Sequence, residues 1–395
     1  MKKRDNFIIA FIKNLTKTLK GFDIYQLSAI PLLMLVLFLL LDFQNNTIKI
    51  GVIFPFTGEH SERSKQALNG LILARDNINE AGGIQGKTIE LLIKDTENNL
   101  EKTAQTARDL IYKNHVTAII GGFLPKDARI IQLLAERSKT PFLTPICTHF
   151  DIAKSSQYTF RTISDDIAQF EALVNYTNDI LKAKSFIIIY DNELYGYESA
   201  KRYIDLAQKA GQSLSVTLPV SNKELNFKET LDVLKVYNPD YTLILAPEKT
   251  SALLVLQLRE IKYENTILGA NRMSSQSFIR LAGMDSESVV VTLPFNPRSG
   301  GQRADYFLSA YNEKFEKIAN ADAAISYEAM MILAIALRQE TADRKIIREI
   351  LGSLHGWDSI IGAGGFDKYG NQVRPSEIAI IKGKQAVPLT MEEMF

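Results

Sequence analysis

Short apolar, β-branched runs alternate with amphipathic helical patterns along most of this 395-residue chain. The run from Ile48 to Phe54 shows the first unit of the pattern. It leads into a turn at residues 55–58, and small or branched apolar residues then recur at helical spacing from Ala67 to Ala81. Strands that read as near-continuous apolar runs are typical of parallel sheets, because helices cover both faces of such a sheet. The sequence therefore predicts an α/β fold.

The same alternation restarts after residues 161–163, which indicates a second lobe. About 350 residues follow the N-terminal apolar segment, and one small core does not suit a chain of that length. Before the restart we predict strands at 48–54, 89–94, 116–121 and 142–144 and helices at 64–81, 100–113 and 126–138. After it we predict strands at 186–190, 214–220, 241–246, 266–270 and 289–293 and helices at 166–181, 195–210, 249–261, 303–318, 323–338 and 344–354. A C-terminal hairpin is also predicted, since residues 367–371 are turn residues between two apolar runs.

An apolar segment at residues 24–43 precedes the first strand. About 20 residues at ~1.5 Å each are enough to cross a hydrocarbon core of ~30 Å, so we predict one N-terminal transmembrane helix. The alternative is a cleaved secretory signal, which the basic start and the dense apolar stretch from Ile30 to Leu41 favour. Residues 42–46 show no small-x-small cleavage pattern, and the only cysteine, Cys147, is too distant for lipidation. We therefore prefer a retained anchor.

Charge predicts which side of the membrane each part occupies. Residues 1–23 carry six basic and two acidic side chains, a net charge of +4. Such an excess of lysine and arginine stays in the cytoplasm, so the rest of the chain faces outward from the inner membrane, on the periplasmic or extracellular face. The whole chain has a formal charge of +1, which leaves −3 for the remainder and no basic field that would attract nucleic acid. The single cysteine rules out an intrachain disulfide.

Eight stretches of the sequence resemble, in the same order, the periplasmic solute-binding proteins of the branched-chain amino acid ABC transporter family. They are IGVIFPFTG, ALNGLILARDNINEAGGIQGKTIELLIKD, AIIGG, TPFLTP, FRT, YDNELYG, RLAG and GFDKYGN. No single stretch is decisive, but together they cover the whole outward part of the chain. The resemblance implies the type I periplasmic binding fold, in which two doubly wound parallel-sheet lobes are joined by three crossovers and close on a small solute.

The resemblance also implies where the lobes begin and end. The crossovers are expected near Ile163, near Pro294 and between Gly356 and Phe366. The N-terminal lobe would then consist of residues 48–163 plus about 295–358, and the C-terminal lobe of residues 164–294 plus about 359–395.

The ligand site is expected at the carboxyl ends of the strands. Open α/β sheets bind ligands there, because loops and helix N-termini point spare N–H groups outward. The loops that follow the predicted strands are residues 55–58, 122–125, 146–149, 193–196, 247–248 and 271–273.

Amino-acid binders of the family hold the ligand carboxylate with hydroxyls and N–H groups of the second and third loops, and its ammonium with an acid in the sixth. Thr148 keeps the threonine of the third loop, and Tyr195 keeps the tyrosine of the fourth. Asn271 stands where the acid is usual, and a neutral amide cannot form the charge-assisted bond that an ammonium prefers. Glu248, in the fifth loop, is the candidate to replace that charge.

The second loop departs further from the family. Phe123 and Leu124 stand where serines are usual, and Pro125 has no N–H to donate. Phe56 and Ile146, from the first and third loops, complete the expected ligand contacts.

Each polar candidate also has a purely structural interpretation. Arg161 and Arg272 are candidates for binding an anionic ligand, or they form structural ion pairs. In the same way, a structural role is open for Thr148 as a turn cap, for Tyr195 as a packing aromatic, for Glu248 as a solvated carboxylate and for Asn271 as a turn residue.

Motifs of enzyme active sites are not found. GGIQGKT superficially resembles a phosphate-binding loop, but Ala81 occupies the first glycine position and the segment follows a helix rather than a strand. The four histidines lack metal-ligand spacing, and there is no GxSxG motif. We therefore predict a non-enzyme without catalytic residues, metal or cofactor.

The leading hypothesis is a membrane-anchored, extracytoplasmic solute-binding protein that closes on a small amino-acid-like ligand, such as an amino acid or an amide, for an ABC permease. The alternative is a membrane-tethered sensor or receptor domain that reports closure to a partner in the membrane and transports nothing. A retained anchor suits both.

Overall fold

The computed structural model describes residues 46–362 and 364–389. The cytoplasmic segment and the transmembrane anchor predicted from the sequence lie outside these residues. Within them, no helix combines the length and the apolar character that crossing a membrane requires.

Most strands are short. In chain order they are β1 (Thr47–Phe54), β2 (Thr88–Asp95), β3 (Ala118–Gly121), β4 (Phe142–Thr144), β5 (Thr159–Arg161), β6 (Ser185–Asp191), β7 (Ser213–Val220), β8 (Tyr241–Leu245), β9 (Thr266–Gly269), β10 (Val290–Leu293), β11 (His355–Trp357), β12 (Gly364–Gly365), β13 (Glu377–Lys382) and β14 (Gln385–Pro388).

Helices separate most of these strands. They are α1 (Ser61–Glu80), α2 (Leu100–Arg108), α3 (Pro125–Ser138), α4 (Asp166–Asn175), α5 (Leu194–Lys209), α6 (Lys228–Tyr237), α7 (Glu248–Glu260), α8 (Gln276–Ala282), α9 (Pro297–Phe315), α10 (Ala321–Leu337) and α11 (Arg344–Ser353). Several begin at a polar cap, because Asn99, Asp165 and Asn320 each accept a hydrogen bond from the backbone N–H three residues ahead.

The strands form two main sheets. The first has the order β2-β1-β3-β4-β5, and every neighbouring pair is parallel. The second has the order β14-β13-β10-β9-β8-β6-β7, in which the strands from β10 to β7 are parallel and β13 and β14 are antiparallel. β11 and β12 form a separate antiparallel pair. These sheets confirm the predicted α/β fold with parallel strands.

Apolar cores cover both faces of the first sheet, because successive residues of a strand point to opposite faces. Val52 belongs to the core that includes α1 and α10, whereas Ile53 belongs to a second core with residues of α2 and α3. The contact between α1 and α10 depends on a glycine. A Cβ atom added to Gly70 would lie 2.0 Å from the carbonyl oxygen of Ala323.

The chain passes between the two sheets three times, after β5, after β10 and before β13. The three crossing segments contact one another. Ser164 Oγ donates to the carbonyl oxygen of Arg374 at 3.3 Å, and Arg374 Nη2 donates to the carbonyl oxygen of Pro294 at 2.9 Å. Hydrogen bonds of one arginine therefore join all three segments.

The third crossing lies later in the chain than the sequence predicted. Ile360, Ile361 and Phe366 are buried in the same core as α1 and α10, so the C-terminal lobe does not begin at about residue 359. The reason is that apolar residues after α11 fill the first core without forming a long strand or helix, and no periodic pattern marks the crossing.

The C-terminal hairpin predicted around residues 367–371 forms, but it is short. A turn does form at residues 367–370, where Gly370 N donates to the carbonyl oxygen of Asp367 at 3.0 Å. The residues on either side of the turn pair antiparallel, since Asp367 N donates to Asn371 O at 2.9 Å and Val373 N donates to Gly365 O at 2.8 Å. The backbone after the turn also pairs with the end of β5: Arg161 N donates to Gly370 O at 2.8 Å, and Gln372 N donates to Arg161 O at 3.0 Å. A longer hairpin of β13 and β14, which the sequence did not predict, follows it.

Candidate functional site

Loops that follow strands of the two sheets meet face to face, and we call this junction the cleft. Parallel strands place their carboxyl ends at one edge of a sheet, so loops that are distant in sequence converge there. Thr148 Oγ1, after β4, lies 3.4 Å from the hydroxyl of Tyr195, after β6. The Tyr195 hydroxyl donates to Asp166 Oδ2 at 2.9 Å. The structure therefore brings two of the sequence-predicted residues together.

Arg63 is the main polar link across the cleft. It lies in the first turn of α1, and its Nε and Nη2 donate to the two carboxylate oxygens of Asp322 at 2.9 and 2.8 Å. The remaining nitrogen, Nη1, pairs with Glu248 Oε1 at 3.1 Å. Asp322 begins α10 beside the first sheet, whereas Glu248 begins α7 beside the second. Arg63 thus forms two hydrogen bonds to Asp322 within its own lobe and one to Glu248 across the cleft.

The environment of Glu248 favours its ionised form. Burial opposes the charge, but Arg63 and Arg272 outweigh it and hold the pKa of Glu248 below its ordinary value. Glu248 is therefore an anion that already has a cationic partner from the opposite lobe.

An aromatic stack lies beside the Arg63 guanidinium. The guanidinium lies 4.9 Å from the centroid of the Phe123 ring, and the His60 ring stacks on Phe123 at 4.8 Å. Burial lowers the pKa of His60, which keeps this stack neutral at pH 7. The second loop therefore offers an apolar surface to the cleft in place of a hydroxyl.

Arg272 is a second cation of the cleft. Its guanidinium lies 5.0 Å from the centroid of the Tyr195 ring. Within residues 46–362 and 364–389 it forms no ion pair, and Glu248 and Asp191 act on it only through longer-range attraction. The charge of Arg272 also reaches His60 on the opposite side of the cleft.

Arg161, the other candidate for binding an anion, is occupied by protein groups. Its side chain is 0% exposed, and Nη2 donates to Asp165 Oδ2 at 2.9 Å and to Asn371 Oδ1 at 2.6 Å. Nη1 donates to the carbonyl oxygens of Thr148 and His149. These contacts support the structural role for Arg161, which fixes the third loop through two of its carbonyl oxygens.

A cavity of about 20 Å³ lies at the edge of the second sheet, with Tyr195, Asn271 and Arg272 in its wall. Space of this size holds one water molecule. Two further carboxylates line it, and burial raises the pKa of both Asp166 and Asp191. This cavity alone is therefore too small for a ligand of amino-acid size.

Three further sequence candidates belong to the first core or pack against it. Ile146 is buried in the first core, and Phe56 and Leu124 pack partly buried against it. Asn271 N donates to Gln169 Oε1 at 3.1 Å, which fixes the backbone of the sixth loop.

Sequence reasoning did not select several residues of the cleft. His149 Nε2 lies 3.1 Å from Glu198 Oε2, and the Arg202 guanidinium lies 4.8 Å from the centroid of the Phe150 ring. His60 and Arg63 were also missed. Their position in the sequence could have indicated them, because both follow the first predicted loop within a few residues and so lie near the carboxyl end of β1.

Comparison with known proteins agrees with this architecture. The family model described as "Periplasmic binding protein" matches residues 47–385. The leucine-, isoleucine-, valine-, threonine- and alanine-binding protein of Pseudomonas aeruginosa is 21% identical over 328 residues, which cover 82% of this chain and 87% of that protein.

Solved structures show the same fold. A leucine-binding protein from Thermotoga maritima matches with a TM-score of 0.80 at 24% identity, covering 87% of this chain and 98% of that one. An ABC transporter solute-binding protein from Rhodopseudomonas palustris, solved with 3,4-dihydroxybenzoic acid, matches with a TM-score of 0.77 at 18% identity, covering 87% and 96%. The family match spans both sheets and the three crossing segments, and it confirms the resemblance seen in the sequence. The chain belongs to the periplasmic binding protein family and is similar to the Leu/Ile/Val-binding proteins.

Proposed function

We propose that this protein is an extracytoplasmic solute-binding protein whose two lobes close on a small ligand of amino-acid size and deliver it to an ABC permease. The observation that carries the proposal is direct contact between the loops of the two sheets. Arg63 pairs with Glu248 at 3.1 Å, and Thr148 meets Tyr195 at 3.4 Å. Relatives named for binding leucine, isoleucine and valine support the ligand size. The neighbour solved with 3,4-dihydroxybenzoic acid supports a ligand range beyond amino acids.

The lobes of this proposal are the parts of the chain that belong to each sheet. Residues 46–161, 297–362 and 364–371 form one lobe, and residues 166–293 and 377–389 form the other. Three short crossing segments absorb the change in angle between them, as in hinge closure of other two-domain proteins. Because Arg374 joins the three segments, they bend together rather than independently.

Opening separates the groups that meet at the cleft. The Arg63–Glu248 pair and the Thr148–Tyr195 contact both cross it, so both break when the lobes part and form again on closure. We propose that the ligand lies between Phe123 and Thr148 on one side and Tyr195, Asn271 and Arg272 on the other.

The membrane anchor predicted at residues 24–43 is part of the proposal. A tether would hold the binding lobes at the outer face of the membrane, close to a permease. Intact mass of membrane-extracted protein tests it: a species that begins near Asn45 and is released from the membrane contradicts the anchor.

The test of closure combines a ligand screen with scattering. Purified full-length protein is screened by thermal shift against amino acids, amides, urea-like compounds and small carboxylates, because a ligand bound only by the folded state raises its stability. Small-angle scattering then compares the radius of gyration with and without a hit. Ligand should favour the compact form, and a profile that no bound ligand changes counts against closure.

A charge reversal provides a matched control for closure. Glu248→Arg places a cation against Arg63 and Arg272, so we expect a larger radius of gyration without ligand and weaker binding of any hit. Glu229→Arg makes the same change at an exposed position of α6 and should alter neither. If a bound solute closes the lobes but loss of the protein leaves uptake of that solute unchanged, the sensor function replaces transport.

A further inference from the structure

We propose that the cleft selects a small carboxylate that carries no ammonium group. In this proposal Arg272 binds the carboxylate, and Arg63 excludes the ammonium by holding Glu248. The inference rests on the proposed function, because it names the class of solute that the same cleft takes.

Arg272 is the group that attracts the ligand carboxylate. It is a guanidinium of the second lobe that faces the cleft beside Tyr195, without an ion pair among the described residues. A guanidinium has several N–H donors in one plane and matches a carboxylate in a bidentate arrangement. An incoming carboxylate therefore gains a strong partner without displacing a protein anion.

Arg63 disfavours ligands that carry an ammonium group. An ammonium needs a carboxylate, and Glu248 is the acidic side chain that the fifth loop brings to the cleft. Its Oε1 already pairs with Arg63, whose other two hydrogen bonds to Asp322 keep the guanidinium in place. An ammonium at Glu248 would have to approach Arg63 and Arg272 as well, and like charges at short range in a partly buried site repel.

Neither Asn271 nor the two aspartates in the cavity wall restores an ammonium site. Asn271 is neutral and stands in the sixth loop. Asp166 accepts a hydrogen bond from Tyr195 at 2.9 Å, and Asp191 Oδ1 accepts from Glu193 N at 3.1 Å. Burial raises the pKa of both aspartates, so ionisation costs more at these positions than at Glu248. The rings of Phe123 and Tyr195 instead suit an apolar body.

Matched ligand pairs test the proposal directly. Calorimetry on the full-length protein compares each amino acid with the acid that lacks only its amino group: leucine with 4-methylpentanoate, phenylalanine with 3-phenylpropanoate, and alanine with propanoate. For at least one pair we expect the acid without the amino group to bind at least about tenfold more tightly, since a charge-assisted bond changes affinity by about 10–100-fold. An amino acid that binds as tightly as its partner, or more tightly, overturns the proposal.

Variants of Arg272 and Arg63 test the role proposed for each arginine. Arg272→Gln should weaken binding of the preferred acid by about 10–100-fold, and Arg272→Lys, which keeps the charge, should weaken it less. Arg63→Gln should shift the affinity ratio toward the amino acid by about tenfold or more, because Glu248 becomes free. The double variant Arg63→Gln/Glu248→Gln should return the ratio to that of the wild type. A merely structural Arg63 would weaken both members of a pair equally and leave the ratio unchanged, which contradicts its assigned role.

The outcomes also separate this inference from the proposed function. If the broad screen finds an amino acid or a cationic solute that closes the lobes, solute binding stands and the carboxylate selectivity is wrong. If no compound of any class binds, both are wrong.

Discussion

Replacing the buried Arg161 should destabilise the protein far more than replacing an exposed arginine in a similar ion pair. Arg161→Met keeps most of the side-chain volume and removes the charge. It leaves Asp165, Asn371 and the two carbonyl oxygens of the third loop without their donor. Breaking a buried ion pair on one side costs about 3–5 kcal/mol. We expect the lower end, about 3 kcal/mol, because Asp165 still accepts a bond from Ala168 N at 2.8 Å and is 18% exposed.

Urea unfolding gives the comparison. Arg129→Met is the control, since Arg129 and its partner Asp151 have side chains that are 33% and 41% exposed, and exposed pairs contribute about 0–1 kcal/mol. Adding Asp165→Asn to Arg161→Met should recover about 1–2 kcal/mol, because the orphaned charge is removed and the amide can still cap α4. If Arg161→Met unfolds at the same urea concentration as Arg129→Met, the buried guanidinium does not position the third loop.

Three further predictions test the fold and the site. Burial raises the pKa of Glu328 to about 7 although Trp357 donates to it at 3.0 Å. Because the folded state binds more protons at Glu328 between the unfolded pKa and about 7, this residue should contribute a fall of up to about 3 kcal/mol in the free energy of unfolding from pH 4.5 to pH 8. Glu328→Gln should reduce the total fall by this amount in urea titrations at several pH values, and the part that Asp127 contributes, with its pKa raised to about 6, should remain. Gly70→Ala should lower stability by about 1–3 kcal/mol because its methyl group meets the backbone of α10. Gly352→Ala, in a helix with open space around it, should be neutral or slightly stabilising in the same melting experiment. Tyr195→Phe should destabilise by about 1–3 kcal/mol because Asp166 loses a donor, and Thr148→Val by less, since its bond to Tyr195 is 3.4 Å long; the opposite order would contradict the contact geometry.

The sequence predicted the elements with strong local patterns. β4 was predicted at its observed bounds, and β1 within one residue, because both are buried apolar runs next to turn residues. α6 and α8 were not predicted. α6 has only two buried residues, Leu231 and Leu234, so its helical stripe is weak and tertiary contacts determine it.

The candidate site was predicted only in part, because it also depends on tertiary contacts. Strand order predicted the loops of the site, because carboxyl ends of parallel strands share an edge. Thr148 and Tyr195 were selected within those loops by the resemblance to the family. The role of Arg63 depends on partners 259 and 185 residues away, Asp322 and Glu248. No spacing rule connects residues so far apart, and only the folded chain shows that Glu248 already has a cationic partner.

The unequal bonding of Arg63 has a consequence for the motion of the lobes. Its two bonds to Asp322 stay within one lobe, so Arg63 keeps a neutralising partner when the cleft opens. Only Glu248 is left alone, at the mouth of the widening gap, where water can solvate it. Opening therefore exchanges one ion-pair contact for hydration and strands no buried charge. In the proposed closure, the lobes therefore part and meet again without a large electrostatic barrier, and the carboxylate that opening exposes is always that of Glu248.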